Sequence, residues 1–406
     1  MVTSHHRILL STLAGLVAAL TGAAAVAPTA AAVAAAAPAA TGHTASGGTS
    51  TERPRVAIAH DNGVLVLDAK NLATLDAFRL PARPALSVAG DGRHVFLTPS
   101  GTGTVRILDT GDPDGRGAAR RPAMERGVVA GMRPAHVNGE HGRTAIYDDG
   151  TGVVQVVSDD QLDSPVLSLR SFAPYAAHHG VAVPLRTGYL VSVPAEGSSA
   201  RVGVARMTEN GRIAARWDTC PGLHGEGGAK GGLVAFGCED GIFTFHRGKA
   251  GKIAEPEGVV GRVGTLAGSP SSSVLAGDYT STQLVLADTE TGKTRLVDLG
   301  MAYGSFTRDD HGDLVVLGTD GKVHVIDPAT GEIEASTQVV PAWSKPTDYT
   351  QPRPQMAVVG HQAMVTDPRS ERVVLVDLER HRVTRSVTLP VVPTGLVVTG
   401  GTGHQH

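Results

Sequence analysis

The amino-acid sequence predicts an all-β protein built as a single β-propeller, and three observations carry that prediction. A short apolar strand ending in Asp keeps returning: LVLDA at 65–69, RILDT at 106–110, VLADT at 285–289, HVIDP at 324–328 and LVDLE at 375–379. Three further apolar ribs fill the gap in that series, VVQVVS at 153–158, RVGVAR at 201–206 and GIFTFH at 241–246. From Asp68 to Asp377 is 309 residues over seven intervals, about 44 per interval, the length of a four-stranded blade with its turns. Helical periodicity is nearly absent. Apolar runs of four to seven residues, bounded by Gly, Pro, Asn and Asp, are the mark of many short antiparallel strands.

Each unit reads inner strand, second strand, Asp- or Gly-bearing turn, rib, then a fourth strand. Gly304 to Thr307, Leu314 to Leu317, Asp320-Gly321, Val323 to Asp327 and Ile333 to Thr337 give one complete example. Asn62-Gly63, Asp91-Gly92 and Asp240-Gly241 supply the positive φ angles that tight hairpins need. The first unit begins at Arg55 to Ala59 without an inner strand, and Thr394 to Thr399 is an orphan inner strand at the other end. Pairing the two closes the ring and removes an exposed edge. The count is eight blades. It becomes seven if the irregular stretch 112–127 or the long fourth unit is divided differently.

Residues 1–40 differ from the rest. His5-His6-Arg7, an apolar stretch from Ile8 to Val26 and an Ala-rich tract with Ala-x-Ala sites read as an export signal peptide; an uncleaved anchor is the rival reading. Residues 41–54, rich in Thr, Ser and Gly, read as a disordered leader, 55–400 as the propeller and 401–406 as a flexible tail. The net charge of −3 leaves no basic footprint for nucleic acid. The mature form is expected outside the cytoplasm, free of the membrane and monomeric. Its two cysteines, Cys220 and Cys238, are 18 residues apart. In an exported chain that pattern predicts a disulfide, while thiolate ligation of a metal near His224 is the alternative.

Histidine spacing supplies a candidate site. His136, His178 and His224 are separated by 42 and 46 residues, one blade each, and each lies where a fourth strand hands over to the next inner strand. In a propeller those crossovers surround one mouth of the channel, so consecutive blades present these imidazoles side by side, with His179 adjacent. Turns between second strand and rib lie on the same face and carry Asp148-Asp149, Glu196 and Asp240, with His60-Asp61 in the first blade. Three neutral imidazoles and one carboxylate complete a tetrahedron for Zn²⁺, and acids behind them orient the rings. The same donors suit Cu²⁺ and Ni²⁺. Glu226 and Asp240 are the supporting acids expected around the trio. Ordinary imidazole protonation would weaken binding below about pH 6.5.

The stretches Ala177-His178-His179-Gly180-Val181-Ala182-Val183-Pro184 and Cys220-Pro221-Gly222-Leu223-His224-Gly225, with the later Cys238, resemble the AztD-type zinc metallochaperones. These are exported propellers that deliver zinc to the solute-binding protein of an ABC zinc importer. The resemblance runs over most of the chain from about residue 55. It implies zinc binding and handover without catalysis, with His136, His178 or His179, His224 and Asp149 as ligands and His60 as a weaker candidate. Some members carry a His/Asp-rich loop between early blades, whereas Asp109 to Gly127 here contains no His. The chain ends instead in His404-Gln405-His406, a low-affinity capture element or an inconsequential tail.

Two other classes fit a propeller: a scaffold that binds no metal, and a lactonase-like hydrolase with a metal in its channel. No G-x-S-x-G nucleophile elbow is present.

Overall fold

The structure, a computed structural model, describes residues 53–111 and 120–400. The expected export signal, most of the leader, and the tail with His404 and His406 lie outside the described residues.

Eight four-stranded antiparallel sheets form the blades of a propeller. The inner strands of blades 1 to 8 are Gly395–Thr399, Pro84–Val88, Pro134–Glu140, Ala182–Pro184, His224–Ala229, Leu266–Ala267, Tyr303–Arg308 and Gln355–Val359. The expected closure is present: Gly395–Thr399 pairs with the first strand in the register Arg55↔Thr399 to Ala59↔Gly395. The irregular stretch after Asp109 leads into a genuine outer strand of blade 2, Ala123–Ala130, so the count is eight and not seven. Among the described residues the only helical element is a 3-10 turn, Asp159–Gln161, and no helix is long and apolar enough to cross a membrane.

The continuous apolar ribs follow from burial on both faces. In Gly63–Asp68, Leu65 and Leu67 pack toward blade 8 with Met364 and Leu375, while Val64 and Val66 pack toward blade 2 with Val95 and Leu97. The same division recurs around the ring, and eight apolar clusters fill the eight clefts between neighbouring blades. Outer strands have only one packed face and turn polar, as in the largely exposed Arg382–Thr388. The Asp that ends most ribs has a local cause. Asp68 Oδ1 accepts from Lys70 and Asn71 N–H, Asp288 Oδ1 from Glu290 and Thr291, and Asp327 Oδ1 from Ala329. Each carboxylate organises the hairpin that follows it.

Inner strands crowd together at the axis, where glycine gives them room. A Cβ on Gly139 of blade 3 would meet the Gly90 nitrogen beside blade 2 at 2.1 Å, and one on Gly268 would meet the Gly228 oxygen at 1.7 Å.

Cys220 and Cys238 are bridged, which removes both sulfurs from the pool of metal ligands. The bridge ties the crossover entering blade 5 to the end of that blade's second strand, four residues before His224. Both sulfurs sit in the cluster between blades 4 and 5 with Leu223 and Phe236. Replacing both cysteines with serine is expected to lower the unfolding free energy by about 3 kcal/mol, from the 18-residue separation and the chain-entropy argument. Denaturant unfolding measures it, and an unchanged midpoint would contradict this account.

Candidate metal centre

Every inner strand starts at the same mouth of the channel, called here the upper mouth, and three of the predicted histidines meet there. His136 of blade 3 and His179, which precedes the inner strand of blade 4, approach with their Nε2 atoms 3.2 Å apart. Their ring centroids lie 4.8 Å apart, and those of His136 and His179 lie 6.2 and 5.8 Å from that of His224 on blade 5.

Bulges aim two of these rings. The register of blade 3 shifts between Pro134 and Val137, and that of blade 5 between His224 and Glu226. In blade 5 the residue that makes the shift is Gly225, at φ +65°, a conformation that favours glycine. Acids at the ends of second strands then fix the crossovers. Asp148 accepts from the N–H groups of Met132, Arg133 and Gly150, at 2.6, 2.9 and 2.8 Å, and so holds the loop entering blade 3. Asp278 does the same for blade 6, accepting from Gly264 and Thr265 at 2.6 Å each. Gly264 in turn offers its carbonyl to His224 Nδ1 at 2.6 Å.

His178 and His179 are adjacent but face opposite ways. The His178 ring is buried: Nδ1 donates to the Ala176 carbonyl at 2.8 Å, and Nε2 accepts from Ser192 Oγ at 2.9 Å. The Tyr147 hydroxyl lies 2.9 Å from Nδ1. A Cβ on Gly180 would strike the Tyr147 ring at 2.2 Å, so glycine there permits this packing. Both His178 nitrogens are thus engaged within the protein, whereas His179 faces the channel. Asp149, the acid expected in the donor set, accepts from His179 Nδ1 at 2.6 Å and from Gly180 N–H at 3.2 Å. It stands behind the imidazole and leaves Nε2 with its lone pair directed at the trio.

The other predicted residues lie elsewhere. Glu226 hydrogen-bonds Asn138, with burial pushing its carboxyl up to about 7. Asp240 is exposed and ion-paired with Lys252. His60 sits in its own turn on blade 1, with Nδ1 accepting from Asn62 N–H at 3.3 Å. Spacing did not reveal Arg201, a largely buried guanidinium that reaches the His179 carbonyl at 3.4 Å and is lowered to about 10, mainly by burial. Nor did it reveal Asp278, Tyr147 and Ser192, which hydrogen-bond to His178 or to the segment that meets His224. Each lies on a second strand, where its pattern is that of an ordinary strand terminus or core residue.

Desolvation dominates the electrostatics of the trio. Burial, then the neighbouring His179, His224 and Arg201, holds His136 well below the ordinary imidazole range. Burial lowers His224 to about 4, with Arg201, Arg262 and His179 adding to the shift and the hydrogen bond to Gly264 opposing it. These two rings are therefore neutral, and able to donate a lone pair, at pH values where a solvated imidazole is protonated.

The chain is similar to the zinc chaperone AztD of Citrobacter koseri, at 27% identity over 371 residues covering 86% of each protein. It also superimposes on the structure of apo AztD from that organism with a TM-score of 0.80 and 26% identity, over 87% of this chain and 100% of the other. A second Citrobacter koseri AztD crystal structure gives 0.80 and 25%, over 88% and 100%. The resemblance read from the His-pair and Cys motifs is thus borne out along most of the chain. The dihydro-heme d1 dehydrogenase NirN shares the fold alone, with a TM-score of 0.62 at 13% identity over 86% of this chain and 75% of its own. No protein-family model matches the chain.

The metal-free protein should show these shifts directly. Imidazole titration by NMR is expected to place the His224 midpoint near 4; a midpoint in the ordinary range near 6.5 would contradict the burial argument.

Proposed function

We propose that the protein is an extracytoplasmic zinc carrier that holds Zn²⁺ between His136, His179 and His224 and passes it to the solute-binding protein of an ABC zinc importer. In this reading residues 1–40 are the export signal, 41–54 a leader, 55–400 the working propeller and 401–406 a tail. The protein acts as a monomer and catalyses no reaction.

One observation carries the reading. The two Nε2 atoms of His136 and His179 lie 3.2 Å apart, close to the edge of about 3.3 Å that a tetrahedral zinc site with bonds near 2.05 Å requires. His179 and His224 each have Nδ1 engaged, by Asp149 and by the Gly264 carbonyl, which fixes the tautomer whose Nε2 is free to ligate. The similarity to a zinc chaperone supports zinc as the cargo.

Three protein donors leave a fourth tetrahedral position at the channel mouth. There an incoming ligand from the partner binds before any histidine lets go, so the ion moves by associative exchange without release to water. A hydrolytic metal centre also needs an open position, and Glu226, with its carboxyl raised to about 7, is the acid nearest in character to a general base. Its hydrogen bond to Asn138 gives it a structural occupation, and the carrier reading expects no turnover of lactones or esters by the zinc-loaded protein.

Calorimetric zinc titration tests the ligand assignment. Replacing His136, His179 and His224 together by Ala is expected to weaken tight binding by at least about a thousandfold, since each good donor supplies several kcal/mol. His178→Ala is expected to keep zinc affinity within about tenfold. It should also cost roughly 1–3 kcal/mol of stability, by taking the His178 ring away from the buried Ser192 and Tyr147 hydroxyls. Loss of zinc in His178→Ala with retention in His179→Ala would reverse the assignment. Because His136 and His224 are held neutral by burial, protons compete with zinc for them only at low pH. Affinity between pH 7 and 5 should therefore fall less steeply than for three ordinary imidazoles, each of which would begin to protonate near 6.5. A slope approaching three protons per zinc over that range would refute this.

A further inference from the structure

We propose a second divalent-metal site at the opposite, lower face of the ring, formed by Asp310 and His311 of blade 7 with His361 of blade 8. Asp310 and His311 occupy the turn between the inner and second strands of blade 7, and His361 the equivalent turn of blade 8. The two imidazoles stack with centroids 4.2 Å apart and planes 29° from parallel. One donor atom from each of the three side chains lies within 4.8 Å of the others. A closing movement of up to about 1.5 Å brings such donors to the spacing of a tetrahedral site.

A separate observation points to a missing partner. His361 Nδ1 is buried, and although Asp310 Oδ1 lies 3.1 Å away, the two are not aligned for a hydrogen bond and the nitrogen has no other partner. A cation between Nδ1, the Asp310 carboxylate and His311 would satisfy all three. On the other side of the ring, Glu379 Oε1 lies 3.7 Å from Nε2. A small rotation lets it accept a hydrogen bond from the Nε2–H and so keep the tautomer that presents Nδ1 to the metal.

The backbone is already set for this. Asp309 Oδ1 accepts from Gly312 and Asp313 N–H at 2.9 and 2.8 Å, fixing the blade 7 turn. Gly360 at φ +56° makes the tight turn of blade 8, and the His361 carbonyl accepts from Leu378 N–H at 2.8 Å. Two imidazoles and a carboxylate suit Zn²⁺ and its transition-metal neighbours over Ca²⁺ or Mg²⁺. On the same face, His94, Asp109, Glu125 and Asp163 also gather. There Arg93 Nε already sits 3.0 Å from Asp109 and the Arg93 guanidinium also pairs with Asp163, so a resident cation fills that cluster. No Arg or Lys pairs with Asp310 among the described ion pairs.

The site is open to solvent and loads independently of the upper trio, more weakly because two of its three donors, Asp310 and His311, are exposed. Zinc titration of the full-length protein, its His311→Ala/His361→Ala variant and the His136→Ala/His179→Ala/His224→Ala variant tests it. The wild type is expected to take up one more equivalent than the His311/His361 variant, the triple variant is expected to keep that weaker equivalent, and Asp310→Asn is expected to weaken it about tenfold. Crystals of the triple variant with zinc should give an anomalous peak between His311 and His361. Identical isotherms for the wild type and the His311/His361 variant, or no peak at that position, would overturn the proposal whatever the fate of the upper trio.

Discussion

All eight inner strands run from the upper to the lower mouth, and the rest of the molecule depends on that common direction. It turns a sequence spacing of one blade into a fixed step around the channel, so residues that enter successive blades become neighbours across space. The step holds only if the ring neither opens nor slips. Pairing of Gly395–Thr399 with the first strand prevents opening, and the alternating faces of each rib, packed into two different clefts, prevent slipping. A one-residue shift would exchange Leu65 and Leu67 for Val64 and Val66 in both clefts at once. The three imidazoles therefore meet because every blade is rigidly indexed to the next.

Indexing brings the rings together, and burial decides their charge. Three protonated imidazoles at these separations would repel one another, and nearby Arg201 and Arg262 would add to that repulsion. Desolvation removes the difficulty by holding His136 and His224 neutral. Asp149 supplies a compensating negative charge, through His179. Geometry and charge thus agree, as a neutral lone pair is what a soft-to-borderline cation takes up.

The blades, their number and the ring closure were legible in the sequence because they rest on repetition: ribs with two buried faces, Asp at the rib ends, and an unmatched strand at each terminus. The meeting of His136 and His224 was legible for the same reason. The choice between His178 and His179 was not. Adjacent residues in extended chain face opposite sides, and which side faces the channel depends on Tyr147, Ser192 and Gly180, contributed by other strands. The contact of Asp149 with His179 Nδ1 was not legible either, since spacing reports which face a turn occupies but not how far its side chain reaches. The expected protonation near pH 6.5 missed burial, which spacing cannot report. The pairing of His311 with His361 escaped the repeat argument as well. Both lie on inner-to-second-strand turns, at the opposite mouth from the crossover histidines.

Placing the acid behind the imidazole has a consequence for transfer. Were Asp149 bound directly to the ion, departure of the metal would leave a carboxylate buried with no counter-charge, a cost of several kcal/mol. Held instead by the His179 ring and the Gly180 amide, it has two partners in the metal-free protein. The groups that must let go in the proposed carrier are then neutral nitrogens. After departure, His136 and His179 are left close enough to hydrogen-bond each other through their Nε2 atoms at 3.2 Å. The empty site is therefore stabilised by the same pair of atoms that would hold the ion in the proposed carrier, which lessens the cost of giving the ion up.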